Sequence, residues 1–336
     1  MRALITGITG MVGSHLADYL LKETDWHIVG LCRWRSPLDN ISHLLPLINK
    51  GYRVELLYGD LRDTVSINNV VKEARADYVF HLAAQSFPKT SFESPLETMD
   101  TNIQGTVRLL EAIRNNSPNA LVHVCASSEV FGRVPKECLP INESCSFHPA
   151  SPYAISKAGT DLVGRFYAEA YGLNVMTTRM FTHTGPRRGD VFAESSFAKQ
   201  IAMAELGLIK PTIKVGNLKS LRTIADVRDA VRAYHMLLTK DPQPGEAYNI
   251  GGQHTVEVGE MLNHLIQLSP IKEELEIQID IKRLRPIDAD LQIPDTTKFL
   301  EHTGWMPEIT FEKTMEDLLN YWREKVKITG SSLLVR

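Results

Sequence analysis

This 336-residue sequence predicts a doubly wound α/β fold, in which helices cover both faces of one parallel sheet. Apolar runs of strand length alternate with helix-length stretches over roughly the first half of the chain. These runs are almost continuously apolar, which is typical of strands buried on both faces. The alternation then loosens, and we expect a smaller α/β substrate domain interleaved with the first toward the C-terminus.

The first half of the chain contains six predicted strands and four predicted helices. The strands are short runs rich in Val, Ile and Leu at residues 2–6, 27–32, 53–58, 78–83, 121–126 and 174–180. The helices have apolar residues at three- and four-residue spacing, at residues 12–22, 65–74, 95–115 and 152–171. Strands joined through helices run parallel with right-handed crossovers, so these elements predict one parallel sheet.

From about residue 182 onward the loops lengthen, and Pro and Gly interrupt the pattern. The helices predicted here cover residues 193–206, 227–238, 258–268 and 311–325, and residues 248–250 resemble another strand of the large sheet. We therefore assign residues 1–181 to the first domain, to which residues 215–252 partly return. Residues 182–214 and 253–328 form the predicted second domain.

Composition excludes several classes of protein. Hydrophobic residues make up 43% and charged residues 23%, and the net charge is −3 with both signs interspersed, so a disordered chain or a nucleic-acid binder is not expected. The four cysteines fit no metal-ligand spacing and are too few for a disulfide framework. We find no apolar run of membrane-spanning length and no signal-peptide pattern. A cytoplasmic protein with no metal and no membrane partner is expected.

Three glycines, Gly7, Gly10 and Gly13, lie where the first predicted strand passes into the first helix. Glycine at this spacing permits a tight turn and lets a pyrophosphate approach the backbone. The N–H groups of the helix N-terminus then face the phosphates. The pattern predicts a Rossmann-type dinucleotide site, and a purely structural turn is the alternative.

The end of the second predicted strand indicates which dinucleotide binds. NAD enzymes usually place a carboxylate there, whereas this chain has Arg33 and Arg35 and no carboxylate until Asp39. Guanidinium groups are well suited to a 2′-phosphate, so NADP is predicted, with a solvated basic turn as the alternative. Asp60 and Leu61, after the third strand, are placed to contact the adenine.

Tyr153 and Lys157 are four residues apart and therefore share one face of a predicted helix. A neighbouring ammonium group is expected to lower the pKa of the Tyr153 phenol and make it a general base. Ser127, Ser128 and Glu129 follow the fifth strand, at the sheet edge where doubly wound folds bind ligands. A hydroxyl, a phenol, an amine and a carboxylate are thus predicted to converge.

With these motifs, the chain resembles the extended short-chain dehydrogenases/reductases and, among them, the GDP-mannose 4,6-dehydratase branch. The matching strings are TGITGMVGSHLADYLL, YGDLRD, HLAAQS, SFESP, SSEVFG, SPYAISK, GPRRGDVF, VGNLKSLR, RLRPIDAD and TGWMP. They extend from residue 6 to residue 307, which is nearly the whole chain.

The resemblance implies a hydro-lyase mechanism on a GDP-sugar. Tyr153 takes the proton of the sugar C4 hydroxyl while hydride passes to NADP, and Ser127 binds the C4 oxygen. Glu129 then removes the C5 proton and helps the C6 hydroxyl to leave as water. Hydride returns to C6, so the reaction has no net redox change. Lys157 also holds the nicotinamide ribose.

The resemblance also assigns binding residues, with the nucleotide sugar in the second domain. Besides Tyr153 and Lys157, the implied cofactor contacts are Gly7, Thr9, Gly10, Met11, Val12, Arg33, Arg35, Asp60, Leu61, Leu82, Ala83 and Ala84. The implied substrate contacts are Ser86, Ser128, Thr182, Arg187, Lys199, Val215, Asn217, Arg222, Arg285 and Asp288.

Two departures from the family pattern leave the sugar open. The pair after the sixth strand is Thr182-His183 where the family usually has Asn-His, and Ser127 stands where the dehydratases have Thr. GDP-mannose is the first choice, and a GDP-manno-heptose is the rival. The activity could also be that of a reductase or epimerase acting on a GDP-4-keto-6-deoxy sugar, and a non-catalytic NADP-binding scaffold is the third possibility.

The predicted helix over residues 95–115 has a wider apolar face than one sheet contact requires. Its stripe comprises Leu96, Met99, Ile103, Val107 and Leu110, with Leu109, Ala112 and Ile113 beside it. We expect a partner copy to cover part of this face. In the resembled family this helix and the Tyr153 helix form a dimeric four-helix bundle, and the Arg33–Arg35 loop contributes to tetramers, so a homodimer or homotetramer is predicted.

Overall fold

The computed structural model of the protein describes residues 1–284 and 291–333. Its strands are β1 (Arg2–Thr6), β2 (His27–Cys32), β3 (Val54–Tyr58), β4 (Tyr78–His81), β5 (Leu121–Cys125), β6 (Val175–Met180), β7 (His183–Thr184), β8 (Thr212–Val215), β9 (Leu221–Asp226), β10 (Ala247–Ile250), β11 (His254–Glu257), β12 (Glu276–Ile279) and β13 (Leu291–Gln292). Its helices are α1 (Met11–Glu23), α2 (Leu45–Asn49), α3 (Thr64–Ala74), α4 (Pro88–Glu93), α5 (Pro95–Met99), α6 (Gly105–Asn116), α7 (Pro152–Tyr171), α8 (Ala193–Glu205), α9 (Val227–Thr239), α10 (Val258–Gln267), α11 (Thr297–Thr303) and α12 (Phe311–Thr329).

Within the described residues, a seven-stranded sheet has the order β10-β6-β5-β4-β1-β2-β3, and each neighbouring pair is parallel. One face is covered by α1 and α9, whose apolar residues share a core with β1, β2 and β6. The other face is covered by α3, α6 and α7. The predicted doubly wound α/β fold is confirmed.

The strand order reverses between β1 and β4. The chain runs outward from β1 through β2 to β3, and then returns to place β4 on the opposite side of β1. Loops that follow neighbouring strands therefore diverge at the carboxyl edge, which opens a crevice there. The loop after β1, the loop after β4 and the residues after β5 all meet at this crevice.

The long helix predicted over residues 95–115 is present as a continuous helical stretch, but it is not α-helical throughout. The structure has α5, a π-helical turn at Asp100–Gln104, and then α6. At this turn Asn102 is buried, and its side chain bonds both the backbone of Gln85 and the Ser156 hydroxyl of α7. The wide turn places an amide in the core, a feature that apolar spacing does not reveal.

Smaller sheets build the region after residue 182. Strand β9 pairs with β7, β11 and β13, while β8 and β12 form a parallel pair. Helices α8, α10 and α12 bury their apolar faces together in a separate core.

Helix α9 and strand β10 belong to the large sheet layer, although both follow β9 in the chain. Two carboxylates tie α9 to the later part of the chain. Asp226 accepts a hydrogen bond from the Thr314 hydroxyl of α12 at 2.8 Å, and Asp229 accepts from the backbone of Glu308 and Ile309. The two layers are thus joined through buried carboxylate acceptors.

Candidate active site

A cleft of about 1110 Å³ lies at the carboxyl edge of the large sheet and extends under α8. Its volume exceeds the range usual for one drug-sized ligand, so it can hold a cofactor and a substrate side by side. The predicted site residues that line it are Gly7, Thr9, Gly10, Met11, Val12, Arg33, Asp60, Leu61, Leu82, Ala83, Ala84, Ser86, Ser127, Ser128, Glu129, Tyr153, Lys157, Thr182, Arg187, Asn217 and Arg222.

The glycine loop has the backbone shape that a dinucleotide needs. Gly7 has a φ of 76°, and a Cβ there would lie 2.9 Å from the Cα of Ala83 in the loop after β4. A Cβ on Gly13 would lie 2.3 Å from the Gly7 carbonyl oxygen. Gly10 begins α1 without any side-chain cap, so the first N–H groups of the helix face the cleft. These residues fit a pyrophosphate.

The two arginines predicted to bind the cofactor after β2 differ in their position relative to the cleft. Arg33 lines the cleft, whereas Arg35 is exposed and lies outside the cleft lining. Asp60, across from them after β3, pairs with Arg62 at 3.1 Å, and this hydrogen bond lowers the pKa of its carboxyl group. Arg62 also lines the cleft, although no sequence motif pointed to it.

Tyr153 and Lys157 lie in the first two turns of α7, which begins at the capping hydroxyl of Ser151. Both side chains are buried, with exposed fractions of 8% and 5%. Burial raises the pKa of the Tyr153 phenol well above its usual range, and burial lowers the pKa of the Lys157 ammonium. The expectation that Lys157 brings the pKa of Tyr153 down is therefore wrong for the protein's own groups. Lys157 Nζ instead donates to the carbonyl oxygen of Cys125 at 2.7 Å.

Ser127 and Glu129 occupy the short turn after β5. The Ser127 hydroxyl accepts from the Glu129 backbone N–H at 3.2 Å, and this hydroxyl also lowers the pKa of the Tyr153 phenol, against the larger effect of burial. Among the charged groups, the Glu129 carboxylate raises the pKa of Tyr153, while the Arg188 guanidinium lowers it. The predicted hydroxyl, phenol and carboxylate do converge at one end of the cleft.

The two consecutive arginines of the loop before α8 diverge. Arg187 has a φ of 68° and reaches back to Asp18 of α1 at 2.7 Å. Arg188 is held by Glu194 of α8, with Nε 3.1 Å from the carboxylate, and it lines the cleft. The sequence reasoning singled out Arg187 and missed Arg188, because the left-handed turn that separates them leaves no signature in the sequence.

Two predicted substrate contacts do not reach the cleft. Val215 has no exposed surface and packs in the core beneath α8, so its assignment as a side-chain contact is wrong. Lys199 is also outside the lining: its Nζ lies 2.7 Å from Asp190 and over the Trp322 ring, so it supports the loop from behind. Arg285 and Asp288 lie outside the described residues.

Thr182 and His183 follow β6 and both line the cleft. His183 Nδ1 lies 3.1 Å from the carbonyl oxygen of Phe181, and burial lowers the pKa of the imidazole to about 4. The ring is therefore neutral at physiological pH. The positive charge of Arg188 lowers the pKa of His183 further.

Two phenylalanines that the sequence did not highlight meet across the cleft. Phe87, just before α4, and Phe192, just before α8, contact each other edge to face with ring centroids 5.8 Å apart. Both line the cleft, as do Lys89 and Arg283.

No group of three His, Cys, Asp or Glu side chains in the described part of the chain could hold a metal ion. None of its helices has the length and apolarity that crossing a membrane requires.

A sequence model of the family described as GDP-mannose 4,6 dehydratase matches residues 4–318. The GDP-mannose 4,6-dehydratase of Yersinia enterocolitica is 33% identical, over 95% of this chain and 92% of that protein. The GDP-6-deoxy-D-mannose reductase of Pseudomonas aeruginosa is 30% identical, over 97% of this chain and 98% of that protein. The structure of RMD from Pseudomonas aeruginosa complexed with NADPH has a TM-score of 0.81 and 28% identity, over 97% of this chain and all of that chain.

The family model covers almost the whole sequence, and the cleft holds the Tyr153, Lys157 and Glu129 arrangement that the resemblance implied. The chain therefore belongs to the GDP-mannose 4,6-dehydratase family.

Proposed function

We propose that this chain is a hydro-lyase that converts GDP-mannose to its 4-keto-6-deoxy derivative, with NADP as resident cofactor. The observation that carries this proposal is that Glu129 and Tyr153 line the same cleft. Oxidation at C4 needs a base for one hydroxyl proton, whereas elimination of water needs a second group that moves a proton between C5 and C6. Glu129 provides that second group.

Residues of the first domain would hold NADP along the carboxyl edge of the sheet. The glycine loop and the open N-terminus of α1 suit the pyrophosphate, and Arg33 suits the 2′-phosphate. When bound, NADP supplies the hydride acceptor at C4 and the hydride donor at C6. The NADPH complex of the Pseudomonas aeruginosa protein supports this cofactor.

Tyr153 would accept the proton of the C4 hydroxyl, with Ser127 as a hydrogen-bond partner. Because the Tyr153 phenol is buried and its pKa is raised, it is protonated until charges brought beside it favour the phenolate. The phenolate then accepts the C4 hydroxyl proton, and the Ser127 hydroxyl stays bonded to the oxygen atoms involved. Lys157, anchored on the Cys125 carbonyl, is placed to bind the nicotinamide ribose beneath them.

Glu129 would carry out the elimination. Its carboxylate removes the proton from C5, which the new C4 ketone has made acidic. The resulting carboxylic acid gives that proton to the C6 hydroxyl as the C6–O bond breaks, so that water leaves and a C5–C6 double bond forms. After hydride addition at C6, C5 takes up a proton in place of the one that left with water. The sum is loss of one water molecule.

We assign the cofactor to residues 1–181 with the returning segment 215–252, and the nucleotide sugar to residues 182–214 and 253–328. Helix α9 and strand β10, which pack with the large sheet, support this division.

The four free cysteines support a reducing compartment such as the cytoplasm. A GDP-manno-heptose is the second candidate substrate, because the smaller Thr182 side chain lines the cleft where the family usually has Asn.

The proposed activity is tested by mixing the purified protein with NADP and GDP-mannose without a reductant. We expect the nucleotide sugar to lose the mass of one water molecule while NADPH does not accumulate. Consumption of NADPH with a GDP-4-keto-6-deoxy sugar, and no dehydration of GDP-mannose, would instead identify a reductase. Parallel reactions with a GDP-manno-heptose decide between the two sugars.

Replacing Glu129 by Gln should separate dehydration from oxidation. The amide keeps the size and hydrogen bonding of the side chain but cannot accept the C5 proton, so turnover should fall by about 10²- to 10⁴-fold. The first half-reaction should survive and be visible as slow NADPH absorbance. Tyr153→Phe, as the comparison variant, should lose both half-reactions. Near-normal dehydration by correctly folded Glu129→Gln would show that the carboxylate has only a structural role.

Replacing Arg33 by Ala should weaken NADP much more than NAD. Charge-assisted hydrogen bonds to the 2′-phosphate contribute about 1.5–3 kcal/mol each, so NADP affinity should fall about tenfold or more. Arg35→Ala is the matched control, because that side chain lies outside the cleft lining, and the double variant tests the pair. Titration of cofactor fluorescence quenching measures both affinities. Equal weakening of NAD and NADP would mean that the arginines support the fold.

An exposed apolar face supports assembly with a second copy of this chain. On α7, Ile155, Leu162 and Phe166 are exposed by 47%, 53% and 51% at helical spacing, beside the exposed Leu96 of α5. Of the predicted stripe, Leu110 packs in the core against the sheet, as do Leu109, Ala112 and Ile113, which were predicted to lie beside the stripe.

We expect a homodimer or homotetramer by light scattering at micromolar concentration. Phe166→Glu should shift the mass toward the monomer, because a carboxylate is costly to bury in an apolar interface. Tyr52→Glu is the control, because Tyr52 is another exposed aromatic residue and lies in the segment between β2 and β3. This variant should leave the mass unchanged. A wild-type monomer would overturn this prediction.

A further inference from the structure

We propose that Phe87 and Phe192 form a clasp across the cleft, which keeps the oxidised sugar on the enzyme until the reaction is complete. Neither the sequence motifs nor the family resemblance singled out either ring. The inference rests on the proposed function for the identity of the reaction, and it deepens that function by assigning the residues that retain its intermediate.

Phe87 and Phe192 belong to opposite walls of the cleft and touch each other. Phe87 ends the loop after β4 and directly precedes α4, whereas Phe192 directly precedes α8. Their ring centroids are 5.8 Å apart and the ring planes meet at 70°, which is an edge-to-face contact. Both residues line the cleft and are partly buried. The two walls are therefore in direct contact at this point.

A second contact joins the same two walls close to Phe87 in the chain. Lys89 Nζ donates to the carbonyl oxygen of Lys282 at 3.3 Å, and Lys282 lies in the short turn after β12. The next residue, Arg283, donates to the Ser196 hydroxyl of α8 at 3.2 Å. The segment that carries Phe87 and Lys89 thus meets the facing wall at two places.

A chain of amide hydrogen bonds that begins on α7 fixes the position of Phe87. The Gln85 side chain accepts from the Phe87 N–H at 2.7 Å and donates to the Phe87 carbonyl oxygen at 3.2 Å. Asn102 bonds the backbone of Gln85 at 2.8 and 3.0 Å and donates to the Ser156 hydroxyl at 2.8 Å. Ser156 directly precedes Lys157 on α7. The π-helical turn at Asn102 therefore connects the Phe87 ring to the helix that carries the reacting groups.

Contacts within the loop before α8 hold Phe192. The Arg188 guanidinium lies over the Phe192 ring, 3.4 Å from its centre. The Phe192 N–H donates to the Gly189 carbonyl oxygen at 3.3 Å, and the Phe192 carbonyl oxygen accepts from the Ser196 N–H at 2.8 Å. One ring is thus fixed relative to α7 and the other relative to α8, so their contact depends on the approach of the two walls.

The strength of this contact suits a clasp that opens in each turnover. An edge-to-face aromatic pair contributes little beyond the area it buries, so its loss should shift the balance between open and closed clefts by about three- to tenfold. Loops that close over substrates open within microseconds to milliseconds. The pair therefore favours the closed cleft without preventing the entry of a ligand.

The proposed reaction needs the sugar to stay bound between its two hydride transfers. After oxidation at C4, the two electrons taken from C4 remain on the cofactor until hydride is added at C6 of the same sugar. If the oxidised sugar leaves first, the C4 hydroxyl proton passes to solvent and one NADPH remains for each sugar lost. That enzyme molecule cannot oxidise another GDP-mannose. A cleft closed over the sugar prevents this loss and also excludes water.

The first test compares the rates at which GDP-mannose enters and leaves the cleft. Wild type, Phe87→Ala, Phe192→Ala and the double variant are loaded with NADPH, which cannot oxidise the sugar, and mixed with GDP-mannose in a stopped-flow instrument. Both the association and the dissociation rate should rise by about three- to tenfold in the variants, because a clasp slows movement in both directions. The double variant should match the single variants, since each change removes the same contact.

The second test follows the reaction on the NADP-loaded enzyme. In the variants, part of the sugar should leave as species two hydrogens lighter than GDP-mannose or than the final product, identified by mass. Bound NADPH should accumulate in the same amount and be visible by its absorbance. Wild type should show neither signal.

Two further variants separate the clasp from general stability. Phe192→Tyr keeps the aromatic ring and should stay close to wild type in both tests. Phe92→Ala is the matched control, because Phe92 is an exposed ring of the same helix α4 and lies outside the cleft lining. It should change neither the two rates nor the amount of NADPH. Melting temperatures establish that each variant is folded under the assay conditions.

Three results would overturn the inference. A faster dissociation rate with an unchanged association rate would make the rings direct substrate contacts. Unchanged rates of entry and exit, or additive effects in the double variant, would show that the pair does not close the cleft. Slower turnover without released oxidised sugar or bound NADPH would leave the pair a structural role only. Failure of wild-type dehydration would overturn the proposed function instead, and the rates of entry and exit would still test the clasp because they involve no chemical step.

Discussion

The reversal of strand order between β1 and β4 is the constraint on which the active site depends. Because the chain leaves these neighbouring strands in opposite directions, the loops after them diverge and leave a crevice. Gly7 after β1 and Ala83 after β4 still approach so closely that a Cβ on Gly7 would lie 2.9 Å from the Ala83 backbone. This close approach lies in the cleft lining, beside the predicted cofactor contacts of the glycine loop and of the loop after β4.

Burial then determines the chemistry at the reacting end. Desolvation raises the pKa of Tyr153 and lowers the pKa of Lys157, because burial penalises the charged form of each group. The Lys157 ammonium is occupied by the Cys125 carbonyl, 2.7 Å away. The Ser127 hydroxyl and the Arg188 guanidinium act in the opposite direction to burial and lower the pKa of Tyr153.

The second domain contributes one wall through α8. Side chains of this helix hold the preceding loop from several directions: Glu194 bonds the Arg188 side chain, Ser195 bonds the Arg188 backbone, and Lys199 bonds Asp190. The left-handed residue Arg187 directs its own side chain toward α1 and leaves Arg188 to the cleft. The residues after β5, the start of α7 and the loop before α8 thus line the same cleft.

Local patterns in the sequence determined the fold and the catalytic group. Strand and helix periodicity identified the elements of the large sheet, and the glycine spacing, the Tyr153–Lys157 pair and the residues after β5 identified the reacting end. These features are encoded within short segments, so neighbouring residues suffice to recognise them.

Contacts between distant segments decided the rest. The π-helical turn at Asn102 depends on partners near residues 85 and 156, and the burial of Val215 depends on helices that follow it in the chain. Both Arg187 and Arg188 line the cleft, but the φ of 68° at Arg187 and its pairing with Asp18 of α1 give the two side chains different partners. The sequence by itself determined which residues are available for catalysis. Only the tertiary structure decided which of them reach the cleft, because side-chain direction and burial are set by residues far away in the chain.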